Sequence, residues 1–403
     1  MIPDGTIFAF FVGWALIAST FATRSNHWSR LHNMESWLCT IAMVGLSLKA
    51  PNLPTTLMIA FIGSTLFRPA PVPLAMILIG WRTVMWTALY LLCLPYVTAD
   101  MIPLFLGLMT GVGCLFGLWT VFIYIVTPVE PVRGQTPVTF TFLGYEITET
   151  LPRTPTCNQM NINLTHCIVS VCVACNVALL FYVEHPAILI STAVLVSLPI
   201  WITAVRSWNE YGQGWGHGVV ILFAALTVQH GWGVWWLGVP CLAVGVWWAS
   251  RNEGGFQSRL IGWRAMIVFL WTRGKKGLFW GYGMGAWQTF NSLPQVKIQS
   301  GTDKGKVMPS AHNEFIQILV EYGAVGVVAV VAVLGYAAMR LSGEPLLIPG
   351  MVLVSVAMLN APWTLTHWHI SPHDPSTSTW YGSPSLTVIS FAVMVLIDGV
   401  YTL

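Results

Sequence analysis

Charged side chains are scarce in this 403-residue chain. Asp, Glu, Lys and Arg make up 8% of it, where a soluble domain carries about 25%. Hydrophobic residues make up 55%, and the mean hydropathy is +0.69. The net charge of +3 is small and spread along the chain, without the basic run that a nucleic-acid-binding protein needs. This composition excludes an ordinary soluble domain and predicts an integral membrane protein.

A metal-binding or disulfide framework of cysteines is also lacking. Of the eight cysteines, Cys167, Cys172 and Cys175 fall together inside one apolar run, where we expect them to pack as small side chains. No Cys/His pattern with zinc-ligand spacing accompanies them. The cysteines therefore predict neither a metal site nor a cofactor.

Long apolar runs are present and predict the fold class. A helix needs about 20 apolar residues to cross the hydrocarbon layer of a bilayer. We expect an all-α integral membrane protein, a polytopic bundle of about 10–12 transmembrane helices with an extracytoplasmic loop that carries short helices. The candidate spans are residues 5–22, 36–50, 54–67, 74–94, 102–127, 167–183, 187–205, 216–231, 233–249, 312–340, 345–360 and 382–400.

Polar segments divide the chain into two predicted regions. Residues 1–249 form an N-terminal transmembrane bundle, interrupted by an extramembrane loop at 128–166 that contains short β-prone runs such as VTFTFL. Residues 250–403 contain a basic loop at 250–311 and the C-terminal spans. An odd or even number of spans decides which loops share a side, so the orientation stays open at this point.

The stretch MPSAHNEFIQILVEYGAVG, residues 308–326, is the most informative one. Ser310 is a plausible helix cap, which would place His312, Asn313 and Glu314 in the first turn of a long apolar helix. The positive end of the helix dipole would then favour a neutral His312 imidazole.

The same helix carries a polar stripe. Glu314, Gln317 and Glu321 are spaced so that they share one face. An ionisable side chain within a membrane-spanning helix is costly unless it lines a cavity or meets a partner, so Glu321 is a functional candidate. The alternative is a polar face that only packs against the loops beside it.

A second motif precedes this helix. Arg259 and Arg264 stand at the start of an apolar stretch that is too short to span, and a glycine-rich turn, GYGMG, follows at 281–285. Glycines at Gly281 and Gly283 can bring backbone N–H groups close to a ligand, although the pattern lacks the strand and helix of a nucleotide site. Neighbouring aromatic residues suit a turn that lies over a sugar or at the membrane interface.

Taken together, this order of motifs resembles the O-antigen ligase and polymerase family of bacterial membrane glycosyltransferases. The resemblance rests on three segments within residues 250–335: SRLIGW with Arg259 and Trp263, the turn GYGMGAWQTF, and AHNEFIQILVEYGAVG. It implies that residues 250–403 hold an O-antigen-ligase-like catalytic region. It also implies an arginine earlier in the chain, for which Arg206 is the nearest candidate.

What the resemblance implies is a metal-independent, inverting transfer of a glycan from an undecaprenyl-diphosphate carrier to an acceptor hydroxyl, without a cofactor. The partners would be that lipid-linked donor, a lipid or glycan acceptor and membrane lipids, with no nucleic acid. The expected place is the extracytoplasmic face of the bacterial inner membrane, in lipopolysaccharide biosynthesis. The predicted catalytic residues are His312, Arg259 and Glu321, and the predicted substrate-binding residues are Arg206, Arg264, Asn313, Glu314, Gly281, Gly283 and Trp263.

The chemistry of these side chains suits that reaction. The planar guanidinium of Arg259, with Arg206 or Arg264, can bind phosphate oxygens through paired hydrogen bonds and stabilise the departing diphosphate. A neutral His312 can accept the acceptor's proton, and such general-base help contributes about 10²–10⁴-fold.

Alternatives of three kinds stay open: other activities of the same family, proteins of another class, and a metal site. Within the same family, a polysaccharide polymerase or a protein O-oligosaccharyltransferase would use the same residues, with the ligase as the preferred interpretation. From another class, a transporter or a non-catalytic membrane scaffold would have Glu321 and the arginines line a path. Separately, His367, His369, His373 and Asp374 form an H-x-H-x₃-H-D pattern, but Pro372 and Pro375 interrupt it and favour a polar loop over a metal site.

Overall fold

The structure is a computed structural model of the chain. It describes residues 97–126, 136–142, 145–151, 162–182, 214–252, 254–283, 286–290, 293–294, 296, 311–360, 368–369, 379–380, 393, 396–397 and 399–400. The predicted spans at 5–22, 36–50, 54–67, 74–94 and 187–205 lie outside the described residues, as do Arg206, His367, His373 and Asp374.

The described part is predominantly helical. Its helices are α1 (Met101–Val126), α2 (Ile162–Leu180), α3 (Gly214–His230), α4 (Trp235–Asn252), α5 (Gly254–Arg273), α6 (Lys275–Trp280), α7 (Ala286–Phe290), α8 (Glu314–Arg340) and α9 (Leu347–Asn360), with a 3₁₀ turn at Trp232–Val234. Six of the predicted spans coincide with α1, α2, α3, α4, α8 and α9, because long apolar runs bounded by Gly, Pro and polar residues favour helices.

Fewer of the described helices than we expected are long enough to cross a membrane. Within the described residues, Glu314–Arg340 alone is both long and apolar enough to cross a membrane. The apolar stretches Met101–Leu115, Cys167–Leu180, Gly216–His230, Trp232–Trp247 and Leu347–Met358 are shorter. Across the described residues, the structure therefore supports a helical protein in which one helix has membrane-crossing length.

The loop at 128–166, in which the sequence shows β-prone runs, contains a hairpin beside the helices. Strand β1 (Thr136–Phe142) pairs antiparallel with β2 (Tyr145–Leu151), and the register runs from Thr136 opposite Leu151 to Phe142 opposite Tyr145. Alternating Thr and apolar residues, with Gly144 between the strands, have the period of two that a hairpin requires. A second small pair joins β3 (Trp368–His369) to β4 (Thr379–Trp380).

The predicted loop at 250–311 is also more ordered than we expected. Helix α4 continues to Asn252, and α5 occupies residues 254–273, including the apolar stretch that looked too short to span. Helices α6 and α7 are the short helices expected in this region. As expected, α5 is not among the described helices that are long and apolar enough to cross a membrane. Its Met266 and Leu270 are buried, while Val268 and Trp271 are exposed.

Two hydrophobic cores hold these elements together. The larger is formed by α1, α2, α3 and α9, with Leu106, Ile168, Ile221 and Val352 among its buried side chains. The smaller joins α5, α7 and the first half of α8, around the buried Trp287. Helix α9 belongs to the second predicted region but packs on α2 and α3, so the predicted boundary at residue 249 does not separate the two cores.

Candidate functional site

The N-terminus of α8 begins one turn later than the sequence suggested. Asn313, and not Ser310, is the N-cap, and its side-chain Oδ1 accepts a hydrogen bond of 3.0 Å from the Ile316 N–H. His312 therefore lies just before the cap, outside the first turn in which we expected it. The Asn313 oxygen thus caps the helix, and its expected contact with substrate stays a prediction.

His312 adopts an unusual backbone conformation. Its φ angle is +49°, and it is the non-glycine residue with positive φ within the part of the chain that the structure describes. A residue with a side chain in the left-handed region costs about 1–3 kcal/mol, and such strain clusters at functional sites. The side chain is half-buried, so it stays within reach of a ligand.

Three polar residues of α8 face the interior of the protein. Glu314, Gln317 and Glu321 are 1%, 0% and 0% exposed, which confirms that they share one face and shows that this face is covered. The Gln317 Nε2 donates a hydrogen bond of 3.2 Å to Glu321 Oε1, and the Gln317 Oε1 accepts one of 3.4 Å from the Ala311 N–H. One amide side chain thus connects a buried carboxyl group to the segment that carries His312.

Helix α5 contacts the same segment from the other side. The indole N–H of Trp263 donates to the carbonyl oxygen of Ala311, the residue before His312. Its ring also packs edge-on against Phe256. The polar group of Trp263 thus contacts the His312 segment, and its expected contact with substrate stays a prediction.

The position of Trp263 also locates the two arginines of α5. Arg259 lies one helical turn before Trp263, on the same face of α5, and is half-buried. Arg264 is exposed and lies about 140° around the helix from Arg259. Arg259 therefore shares the α5 face of the residue that contacts the His312 segment, and Arg264 does not.

Helix α8 is broken at Gly323. This residue has φ +71° and ψ −172°, which no helix allows, so the Val320 and Glu321 carbonyls take their partners from elsewhere. The Tyr282 N–H bonds to the Val320 carbonyl at 3.0 Å, and the Gly283 N–H bonds to the Glu321 carbonyl at 2.9 Å. The glycine-rich turn caps the first half of the helix.

This arrangement corrects the expected role of the turn. The Gly281 N–H bonds to the Gly277 carbonyl, so neither Gly281 nor Gly283 offers its N–H to a ligand. A Cβ atom at Gly281 would lie 2.2 Å from the Glu321 carbonyl oxygen, and one at Gly323 would lie 2.3 Å from the Phe279 carbonyl oxygen. Glycine is required there because two backbones touch.

A second polar pair lies in the larger core, at residues that the sequence reasoning did not single out. The Ser355 hydroxyl donates to the Val352 carbonyl at 2.8 Å, so at 2.7 Å from His217 Nδ1 its oxygen must accept. Because the hydroxyl proton goes to a carbonyl, His217 does not act as a base toward Ser355. We interpret the pair as a buried link between α3 and α9.

The described residues contain no candidate metal-binding site. The described residues contain no group of three His, Cys, Asp or Glu side chains placed to hold a metal ion. His369 lies in β3, while its three proposed co-ligands fall outside the described residues.

A strained histidine, His312, lies just before α8, and a buried carboxyl group, Glu321, lies two turns into that helix. The half-buried Arg259 lies on the α5 face whose Trp263 contacts the same segment. Sequence reasoning placed Gln317 on the polar face of α8 but did not include it in the site. It also missed the contact between Gly281 and Gly323. Gln317 was detectable only by its spacing of four residues from Glu321. Chemically, the group combines a proton acceptor with a cation.

No protein-family model, curated protein or solved structure matches this chain.

Proposed function

We propose that this protein is a membrane glycosyltransferase that moves a glycan from an undecaprenyl-diphosphate carrier to an acceptor hydroxyl, in the manner of O-antigen ligases. The observation that carries the proposal is the hydrogen bond from Trp263 to the Ala311 carbonyl. It joins the face of α5 that carries Arg259 to the residue next to His312. In this proposal, that face supplies a phosphate-binding cation beside a proton acceptor.

In the proposed reaction the acceptor oxygen attacks the anomeric carbon of the lipid-linked glycan. The new C–O bond forms as the bond to the diphosphate breaks, and the configuration inverts. His312 accepts the proton of the acceptor hydroxyl, while Arg259 stabilises the negative charge on the departing undecaprenyl diphosphate. No metal ion is needed for these two roles.

The second half of α8 supports a membrane location for this chemistry. Beyond Gly323 the helix is apolar, and Val325, Val328 and Val331 are exposed, with Val328 at 67%. Helix α4 also presents large apolar side chains, among them Trp236 at 87% exposure. Exposed apolar surface of this kind suits contact with lipid, and we place the site at the extracytoplasmic face of an inner membrane.

The test is the replacement of His312 and Arg259 by alanine in cells that make a lipid-linked glycan. We expect each variant to lose the transferred glycan on gels of lipopolysaccharide or polysaccharide, at normal protein abundance. Arg340→Ala is the matched control, because Arg340 is an exposed arginine that stacks on Tyr336 at the other end of α8. Unchanged glycan ladders in the His312→Ala variant would refute the enzyme.

The same gels distinguish the related activities. Loss of a ligase leaves uncapped core and accumulates long lipid-linked polymer, whereas loss of a polymerase leaves single repeat units on core. For a transporter, the buried Glu321 would line a path, and His312 could be replaced without loss of the product. The coexistence of a strained His312 with Arg259 on the facing helix favours the enzyme.

A further inference from the structure

Gln317 is the polar residue at the centre of this site that the proposed reaction does not yet use. It is fully buried, and both ends of its amide are bonded within the site. The oxygen accepts from the Ala311 N–H, so the nitrogen must face Glu321, and the amide has one orientation. The Ala311 peptide is therefore held from two sides, at its N–H by Gln317 and at its carbonyl by Trp263.

Holding Ala311 matters because the next residue is the strained one. A φ of +49° at His312 persists only if its neighbours determine the backbone on both sides. On the C-terminal side the Asn313 cap fixes the start of α8. On the N-terminal side the two hydrogen bonds to Ala311 do so.

We propose that Gln317 is the positioning residue of the site: it ties the Glu321 carboxyl group to the Ala311 peptide and so holds His312 in the conformation that accepts the acceptor's proton. This inference rests on the proposed transferase function. Glu321 then acts through Gln317. Its Oε1 accepts from the amide and fixes the amide's orientation, without touching substrate.

The test uses three variants of the full-length protein in isolated membranes. Gln317→Leu removes both hydrogen bonds at similar volume. We expect faster hydrogen–deuterium exchange in a peptide that spans Ala311, and transfer from undecaprenyl-diphosphate-linked glycan lowered by about 10- to 100-fold, as for a lost hydrogen bond to a charged group. Gln257→Leu is the matched control, because the Gln257 side chain also bonds to the backbone, donating to the Arg251 carbonyl, but is exposed.

Gln317→Glu gives a readout that a merely structural role would not move. A protonated carboxyl group reproduces both bonds, because its OH donates to Glu321 and its carbonyl accepts from Ala311, whereas a carboxylate repels Glu321. Transfer relative to wild type should therefore recover as the pH falls. The charged groups on the elements packed here are His312, Glu314, Glu321 and Arg340 around α8, Arg259, Arg264 and Arg273 on α5, and Lys275 and Lys276 on α6. All of them are unchanged in the variant.

The outcomes separate this inference from the function on which it rests. Exchange that is unchanged in Gln317→Leu, or a Gln317→Glu profile parallel to wild type, overturns the positioning role. Faster exchange with full transfer also overturns it, while loss of transfer in His312→Ala leaves the proposed function standing. If His312→Ala retains transfer, the function and this inference both fail. Should Gln317→Leu not accumulate, the Gln317→Glu profile decides alone.

Discussion

Replacing Gly323 by alanine should destabilise the protein strongly. Its φ of +71° costs an L-residue about 1–2 kcal/mol. The added Cβ would also lie 2.3 Å from the Phe279 carbonyl oxygen, where ordinary contact begins at 3.4 Å. Both neighbours are backbone, so the turn or the helix must shift by about 1 Å, and such overpacking costs about 1–3 kcal/mol. The sum is about 2–5 kcal/mol.

Gly335→Ala provides the control in the same helix. A Cβ there meets nothing within 4 Å, and the backbone is helical, so the substitution should stabilise α8 by about 0.5–1 kcal/mol. Two identical chemical changes twelve residues apart are thus expected to act in opposite directions. The apparent melting temperature of the purified protein in detergent, followed by size-exclusion chromatography after heating, measures both.

The reasoning is refuted if the Gly323→Ala protein melts together with wild type or with Gly335→Ala. Gly281→Ala offers a second check, since its Cβ would lie 2.2 Å from the Glu321 carbonyl oxygen. Because Gly281 and Gly323 contact each other, once one substitution has separated the two backbones the second costs less, and the double variant should lose less than the sum of the single ones.

Three further perturbations test other parts of the structure. Asn313→Ala removes the acceptor for the Ile316 N–H and should cost about 1 kcal/mol, whereas Asn313→Ser retains a cap; equal melting temperatures would contradict the assigned helix start. Ser355→Ala leaves the buried His217 Nδ1 without its acceptor and should cost about 1–3 kcal/mol, while Ser355→Thr keeps the hydroxyl; equal stability of the two variants would contradict the link. Val328→Arg places a charge on the exposed apolar half of α8 and should cost about 2.5–3.5 kcal/mol of membrane insertion, seen as protein lost from the membrane fraction; full retention would argue against lipid contact there.

The helices were predictable because their signals are local. Apolar runs near α1, α3 and α9 are bounded by polar, Gly or Pro residues, and a local pattern is enough to place such elements. The hairpin at 136–151 also had a local signal, the alternation in TPVTFTF, and the β-prone runs of this loop were visible in the sequence.

The start of α8 could not be placed from the sequence because two residues compete to cap it. Ser310 and Asn313 are both good caps, and the stretch between them offers no local preference. Contacts with residues outside this stretch decide which of the two residues caps the helix. Trp263 and Gln317 hold the Ala311 peptide outside the helix, which leaves Asn313 as the cap and His312 in its left-handed conformation.

The glycine-rich turn shows a different limit. A turn that approaches a ligand and a turn that approaches another backbone need the same residue for the same reason, the absence of a Cβ. The partner of Gly281 lies about forty residues further along the chain, at Gly323, and nothing local in GYGMG names it. The glycines of the turn therefore predict that another group comes close to it, but the local sequence does not identify that group as Gly323.

The break in α8 explains how one helix carries both a buried polar site and a surface suited to lipid. In a continuous helix, the 3.6-residue period would fix the direction in which the valines face relative to the polar stripe. At Gly323 the hydrogen-bond ladder stops, the turn at 281–283 takes over the Val320 and Glu321 carbonyls, and the second half begins again with its own orientation. The main chain of Glu321 is therefore held in place by the hydrogen bond from the Gly283 N–H. In our proposal, the hydrogen bond between the Glu321 side chain and Gln317 then fixes the His312 segment relative to this point.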